Sequence, residues 1–327
     1  MMLTGLLASL LLGSVFHGAL GIRIGAFNIQ VFGRSKMAKA DVVTVLLQVA
    51  ERYDILLIQE IRDVSGTAIN SFLEQLNGRP GNNYSMVISP RLGRTTSKEQ
   101  YAFLYRNGAG LSITETYTYD DGEESNGTDT FEREPYVVKL RSQNTVVRDL
   151  VLIACHTSPS QARYEIGALE NVYDDGVRRL GIKDVLILGD LNADCDYVPR
   201  SAWNNIGLRT DRKFSWLIGD ENDTTVTSTH CAYDRFVASG SSLLPAVVDG
   251  SVQVYDFQSQ YGLTQAEAEA VSDHFPIELE LAKRRVQPTG IVTDKNGGGG
   301  QAGRKADLTI RALGSLIITS WLLMITY

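Results

Sequence analysis

Residues 185–198 read VLILGDLNADCDYV. Val185 to Leu188 is an unbroken apolar run, the signature of a strand buried on both faces, and a carboxylate, Asp190, stands where the run stops. The same arrangement recurs outward along the chain. DILLIQ (Asp54–Gln59) is followed by Glu60, LVLIAC (Leu150–Cys155) by His156, and FPIELEL (Phe275–Leu281) is preceded by Asp273 and His274. Strand ends gathered on one side of a sheet are where α/β proteins place their chemistry. One carboxylate at a strand end ordinarily meets water or caps a helix. Five charged residues so placed in one chain predict a site.

The surrounding pattern is a continuous alternation of strands and helices. Further strands are predicted at Ile22–Ile29, Ser85–Ser89, Tyr101–Tyr105, Leu111–Tyr119, Val137–Leu140, Val146–Cys155, Arg235–Ala238, Val252–Tyr255 and Pro276–Leu281. Helical spacing of apolar residues predicts helices over Met37–Arg52, Ala68–Leu76 and Gln161–Leu180, the last with Ile166, Leu169, Tyr173, Val177 and Leu180 on one face. Asp120–Asp129 reads as a polar loop, and no period of repeat length occurs, which excludes a solenoid. The order of elements predicts an α/β sandwich with sheets inside and helices outside.

Both ends read as addressing signals. Leu3–Phe16 is an apolar run of signal-peptide length followed by small residues, so residues 1–21 are expected to be removed and the mature chain to start at Ile22. After Lys283 periodicity stops. The catalytic domain is therefore expected over 22–281, a stalk over 282–300 and a removable hydrophobic tail over 301–327. Small residues, a polar spacer and a terminal apolar tail are the order of a glycolipid (GPI) attachment signal, with Asn296 or Gly297 as the attachment residue. Asn83, Asn126 and Asn222 each open an Asn-x-Ser/Thr sequon, consistent with passage to the extracellular face of the plasma membrane or secretion. Three cysteines, Cys155, Cys195 and Cys231, leave one pair and one free thiol in an oxidising compartment, with any of the three pairings open. The net charge of -7 argues against holding nucleic acid by bulk positive charge, but not against gripping a few phosphates with a metal ion and local arginines.

Histidine is scarce. Of four, His17 lies in the leader, His230 sits beside Cys231, and His156 and His274 end or precede core strands. Glu99, Asp234 and Asp190 are carboxylates available to orient them. Phosphodiester hydrolysis needs an activated water, a protonated leaving oxygen and positive charge on the phosphate; two His–carboxylate pairs and a metal supply all three.

The stretches that carry this chemistry are IGAFNIQVFG (Ile24–Gly33), YDILLIQEIRD (Tyr53–Asp63), KEQYAFLYR (Lys98–Arg106), REPYVVK (Arg133–Lys139), HTSPS (His156–Ser160), LGDLNADCDYV (Leu188–Val198), TSTHCAYDR (Thr227–Arg235) and SDHFP (Ser272–Pro276). Together, over roughly Ile22–Leu281, they resemble the deoxyribonuclease I family of the endonuclease/exonuclease/phosphatase superfamily, and the C-terminal tail is most similar to its deoxyribonuclease I-like 1 branch. The resemblance implies a four-layer α/β sandwich that cuts DNA to 5′-phosphorylated products. His274 with Asp234 would be the general base and His156 with Glu99 the general acid. Asn28, Glu60 and Asp273 would surround a catalytic Mg2+ or Mn2+, Asp190 and Asn192 would hold the scissile phosphate, and Arg62, Arg133 and Tyr197 would contact DNA. It pairs Cys195 with Cys231, leaving Cys155 free. Structural Ca2+ loops would fall on Asp121, Asp129, Phe131 and Glu134 and on Asp223, Thr225, Thr227 and Thr229.

Departures from the family pattern are also expected to matter. The family's small loop disulfide is missing, its positions being Glu123 and Asn126; Gln30 and Ser97 replace minor-groove contacts. Met86 and Ile88 alter the actin-binding edge, so weak or absent actin binding is expected, and the chain is expected to be a monomer. Rival readings are an abasic-site enzyme, which the secretory features disfavour, a lipid phosphodiesterase on the same scaffold, and a surface protein that binds without catalysis.

Overall fold

The computed structural model describes residues 21–123, 125 and 127–284. Twelve strands form two six-stranded sheets. β1 (Gly21–Phe32), β2 (Ile55–Ile61), β3 (Tyr84–Ile88), β4 (Ala102–Arg106), β11 (Gln253–Val254) and β12 (Ile277–Ala282) make one sheet in the order β11-β12-β1-β2-β4-β3. The other, in the order β5-β6-β7-β8-β10-β9, contains β5 (Leu111–Thr118), β6 (Tyr136–Ser142), β7 (Asp149–Ala154), β8 (Val185–Asp190), β9 (Ser215–Trp216) and β10 (Asp234–Ser239). Each sheet has one parallel pair at its heart, β1 with β2 and β7 with β8, and antiparallel strands elsewhere.

Strand periodicity sorts the side chains into layers, because successive residues point to opposite faces. Ile55 and Leu57 of β2 join Ile24, Leu152, Leu186 and Phe236 between the sheets. Leu56 and Ile58 face outward with Phe27 and Ile29, covered by α2 (Ala40–Ala50), α3 (Thr67–Asn77) and α8 (Gln265–Val271). Val151, Ile153 and Ile187 face the opposite way against α4 (Ala162–Leu180). The result is the expected four-layer sandwich. Among the described residues no helix is long and apolar enough to cross a membrane.

Boundaries differ from the sequence expectation where turns intervene. The helix expected over Met37–Arg52 is two, α1 (Arg34–Met37) and α2, separated at Ala38 and Lys39. The strand expected over Val146–Cys155 starts only at Asp149, because Val146 is half-exposed and bonds to Ala282 as a loop. The strand expected over Val252–Tyr255 shortens to two residues, since Tyr255 and Asp256 lead into α7 (Phe257–Tyr261). That helix and α8, which opens on a Thr264–Glu267 capping box, were not anticipated. Residues 1–20 of the expected leader, the tail and its attachment residues Asn296 and Gly297, and Asn126 lie outside the described residues, whereas Gly21, expected to end the leader, is the first residue of β1 and pairs with Ala282.

Candidate active site

The carboxyl ends of both parallel pairs meet along one edge of the sandwich. Asn28 lies on β1, Glu60 on β2 and Asp190 ends β8, while His156 follows β7 by two residues. Antiparallel neighbours complete the edge from their starts: Asp234 opens β10, in register with Asp190, and His274 stands three residues before β12. A polar residue inside DILLIQ ties the two sheets together here. Gln59 follows Ile55 and Leu57 on the inter-sheet face, fully buried; its Nε2 donates to the Cys155 carbonyl and its Oε1 accepts from the Asp190 backbone N–H, both at 2.9 Å. Gly189, at φ 127°, makes room for this tether, since a Cβ there would stand 2.5 Å from the Cys155 carbonyl oxygen.

Two histidines converge on one carboxylate. His156 Nδ1 lies 2.9 Å from Glu99 Oε2 and His274 Nδ1 lies 2.7 Å from Asp234 Oδ2. Their Nε2 atoms stand 3.4 and 3.5 Å from the same atom, Oδ2 of the buried Asp190. Burial opposes ionisation of Glu99, but the hydrogen bond from His156 and the charges of His156, Arg133 and Arg62 outweigh it and bring its pKa down to about 2. Burial likewise opposes a charged His274, yet Asp234 and Asp190 push it up to about 10. Asp234 is itself raised, chiefly by burial, so the pair as a unit holds its shared proton tightly.

The three expected metal ligands adjoin this centre. Asn28 Nδ2 donates to Asp190 Oδ2 at 3.0 Å and to Glu60 Oε1 at 3.2 Å. Two buried oxygens nearby, Asn28 Oδ1 and Asp273 Oδ1, have no hydrogen-bond partner. Asp273 Oδ2 instead accepts from Gln30 Nε2 at 2.9 Å. Val31 and Glu60 both adopt left-handed backbone, φ 52° and 59°, and Val31 N donates to Glu60 Oε2. For a β-branched valine that conformation is strained, as is common beside functional sites.

The expected DNA contacts differ in availability. Tyr197 is exposed and stacks on Tyr233 at 5.2 Å, whose ring is 6.2 Å from His274. Arg62 is partly exposed and bridges Glu60 and Glu99. Arg133 is largely enclosed, donating to the His156 and Thr157 carbonyls, which makes it a brace for the His156 loop. Asn192 donates its side-chain N–H to the Thr157 carbonyl.

The two expected Ca2+ loops also differ. In the first, Asp121 accepts the N–H groups of Thr130 and buried Phe131, Asp129 pairs with Arg94, and Glu134 Oε2 is buried without a partner. Burial and the charges of Asp121 and Asp129 raise the Glu134 pKa. The second closes on itself: Asp223 Oδ1 accepts from Thr225 N and Oγ1, Thr225 Oγ1 reaches the Thr229 carbonyl, and Thr227 bonds Thr229. Cys195 and Cys231 form a disulfide, and Cys155 is a buried free thiol whose pKa is pushed up by burial. Asn83 is exposed, whereas the Asn222 amide donates to Gly219 and Glu221.

Sequence reasoning missed the supporting residues. Tyr101 OH accepts the His156 N–H, and buried Glu165 accepts from Glu132 N and Ser158 N. Arg235, fully buried, donates to the Ala193 and Ala232 carbonyls, pinning the segments beside Asn192 and Asp234. Ser272 Oγ donates to the Asn28 carbonyl and accepts from His274 N. A polar residue within an apolar run was the signal for Gln59; Ser272 and Arg235 carry none beyond lying next to a candidate.

Known proteins share this architecture. The model of the Endonuclease/Exonuclease/phosphatase family matches residues 25–274. Deoxyribonuclease-1 of Bos taurus is 47% identical over 279 residues, covering 85% of this chain and 98% of the relative. Deoxyribonuclease-1 of Homo sapiens is 45% identical over 274 residues, covering 84% and 97%. The crystal structure of an endonuclease/exonuclease/phosphatase from Bacteroides vulgatus superposes with TM-score 0.53 over 80% of this chain and 98% of that one, a likeness of fold at 15% identity.

Proposed function

The chain belongs to the endonuclease/exonuclease/phosphatase family, and we propose that it is a divalent-metal-dependent endonuclease that hydrolyses the phosphodiester bonds of DNA to 5′-phosphorylated fragments. The observation that carries this reading is the convergence of two carboxylate-backed histidines on one point, with both Nε2 atoms within 3.5 Å of Asp190 Oδ2. Two proton-transfer groups converging on one spot supply the base and the acid that a displacement at phosphorus needs.

Each residue then has a task. Asp234 orients the His274 ring through Nδ1, so that Nε2 of the neutral ring takes a proton from the attacking water, and Asp234 and Asp190, which favour the charged ring, stabilise the imidazolium so formed. Glu99, kept ionised, orients His156 through Nδ1 so that it can give a proton to the departing 3′ oxygen; the phosphate therefore stays on the 5′ side. Asp190 and Asn192 would hold the phosphate, and Arg62, Arg133 and Tyr197 would contact the DNA, Arg133 while bracing the His156 loop. Asn28, Glu60 and Asp273 would hold Mg2+ or Mn2+. Their all-oxygen set fits a hard cation, and the two unpartnered oxygens, Asn28 Oδ1 and Asp273 Oδ1, are the atoms such an ion would satisfy. That ion supplies positive charge against the developing charge on the phosphate.

The same proposal covers the supporting features. Ca2+ would stabilise the loops at Asp121–Glu134 and Asp223–Thr229. A leader over 1–21, a catalytic domain over 22–281, a stalk over 282–300, a removed tail over 301–327, glycans on Asn83, Asn126 and Asn222, and a glycolipid at Asn296 or Gly297 would deliver a monomer to the cell surface or the medium, with weak or no actin binding. The test is plasmid nicking by the purified protein with Mg2+ and Ca2+ against EDTA, with His156→Ala and His274→Ala alongside. Metal-dependent nicking lost in both variants is expected; a folded wild-type protein that leaves the plasmid intact refutes the DNA assignment.

A further inference from the structure

Gln30 stands two residues from Asn28 on β1, so their side chains share a strand face. One face thus presents both a candidate cation ligand and an uncharged amide beside it. That amide is turned inward: Nε2 donates to Asp273 Oδ2 at 2.9 Å. Asp273 Oδ1 is left buried without a hydrogen bond, 3.9 Å from His274 Nε2, and Asn28 Oδ1 likewise accepts none. Ser272 fixes the register between the two segments, since its hydroxyl donates to the Asn28 carbonyl at 2.7 Å and accepts from the Gln30 N–H at 3.3 Å.

Resting on the cation site proposed above, we propose that Gln30 is a positioning residue of that site: it holds one oxygen of Asp273, leaves the other for the cation, and takes no part in gripping DNA. The physical reason is charge. A neutral amide orients the carboxylate through one oxygen without adding a charge of its own to the site. Groups that orient a metal ligand by hydrogen bonding contribute strongly to affinity, with losses on the order of 10-fold or more when removed.

The experiment is Mn2+ binding by the DNA-free protein, followed by electron paramagnetic resonance, for the wild type, Gln30→Met and Gln30→Ala. Methionine keeps the length and removes the donor. Nicking at saturating Mg2+ gives the KM for DNA in parallel, and thermal melting checks the fold. Expected is a roughly 10-fold weaker Mn2+ affinity in both variants, with the KM for DNA and the melting temperature unchanged. Unchanged Mn2+ affinity overturns the proposal, and a raised KM for DNA beside it makes Gln30 a DNA contact instead. A wild type that binds no Mn2+ sinks the cation site as a whole, whereas a wild type and variants that bind alike sink only the role of Gln30.

Discussion

The two histidine arms are alike in geometry and opposite in electrostatics. Each ring rests Nδ1 on a buried carboxylate and aims Nε2 at Asp190. Around His156 the carboxylate, Glu99, is also met by Arg62 at 2.6 Å and Arg133 at 3.6 Å. Around His274 two carboxylates, Asp234 and Asp190, favour the charged form of the ring. One arm therefore favours an ionised carboxylate, and the other favours a charged ring. The surroundings follow suit. Arg133 and Glu165 brace the first arm, whereas Thr224, which accepts the N–H groups of Tyr233 and Asp234, and the Cys195–Cys231 disulfide brace the second. A near-symmetric pair thus acquires distinct acid and base roles from its neighbours rather than from its own residues.

Removing either ring breaks the comparison at its centre and has the largest expected effect. His156→Ala and His274→Ala are each expected to lower kcat by about 10²- to 10⁴-fold. The double variant should fall little further than the worse single one, because groups acting in one step are not additive. Steady-state nicking rates check this; additive losses would mean that the arms work independently.

Opening the disulfide should separate the arms by location. Cys195 and Cys231 are 36 residues apart and flank the segments joined by Asp194 to Ala232 N. Closing a loop of that length stabilises by about 4 kcal/mol on chain-entropy grounds. Cys195→Ala/Cys231→Ala is expected to lose about that much stability in chemical denaturation. Hydrogen exchange should rise first at Ala232–Asp234, with His156–Ser158 still protected. Equal loosening of both arms would refute this division.

Glu99 offers the next contrast. Its pKa of about 2 against an ordinary 4.5 makes its ionised form a source of stability, fully present above pH 4.5 and lost as pH falls through about 2. The shift corresponds to about 3 kcal/mol. Glu99→Gln should therefore cost about that at pH 7, a fall in Tm of roughly 6–12 °C, and should flatten acid unfolding between pH 4.5 and 2. Asp234→Asn keeps an acceptor for His274 Nδ1–H but removes one of the two carboxylates that favour the charged ring, so His274 should titrate at lower pH than in the wild type, with kcat lowered through a misoriented ring. Melting curves of Glu99→Gln between pH 7 and pH 2 and titration of His274 in Asp234→Asn check the contrast; an unshifted His274 would erase it.

The legibility of the two arms was also uneven. Asp190, Glu60, His156 and His274 could be found because a polar or charged residue at either end of an apolar run breaks a strong pattern. The pairing of Cys195 with Cys231 came only from family resemblance, as spacing left three choices. The braces were invisible for a physical reason: Arg235 reaches the Ala193 carbonyl and Glu165 the Glu132 N–H, backbone groups of segments distant in sequence, and nothing local marks such a partner. The helices α7 and α8 were missed because they are short, five and seven residues, too few for a helical period to declare itself.

The smallest expected effect sharpens the first arm alone. Arg133 acts electrostatically on two buried glutamates, Glu99 and Glu165, and the two shift in opposite directions. Glu99 has a histidine and two arginines and falls to about 2, whereas Glu165 receives two backbone N–H groups and rises to about 7, because burial exceeds what those bonds and the charges of Arg133 and His156 return. A carboxyl raised above its unfolded value binds its proton more tightly when folded, so it withdraws stability as pH rises from 4.5 towards 7. Between pH 5 and pH 8.5 the wild type should lose about 2 kcal/mol from this group. Glu165→Gln cannot ionise and should lack that decline, at the expense of about 1 kcal/mol at pH 5 for an acceptor bond not remade. Denaturation at the two pH values decides the matter. If the variant and wild type decline in parallel, Arg133 already holds Glu165 ionised, and the two glutamates beside it are electrostatically alike.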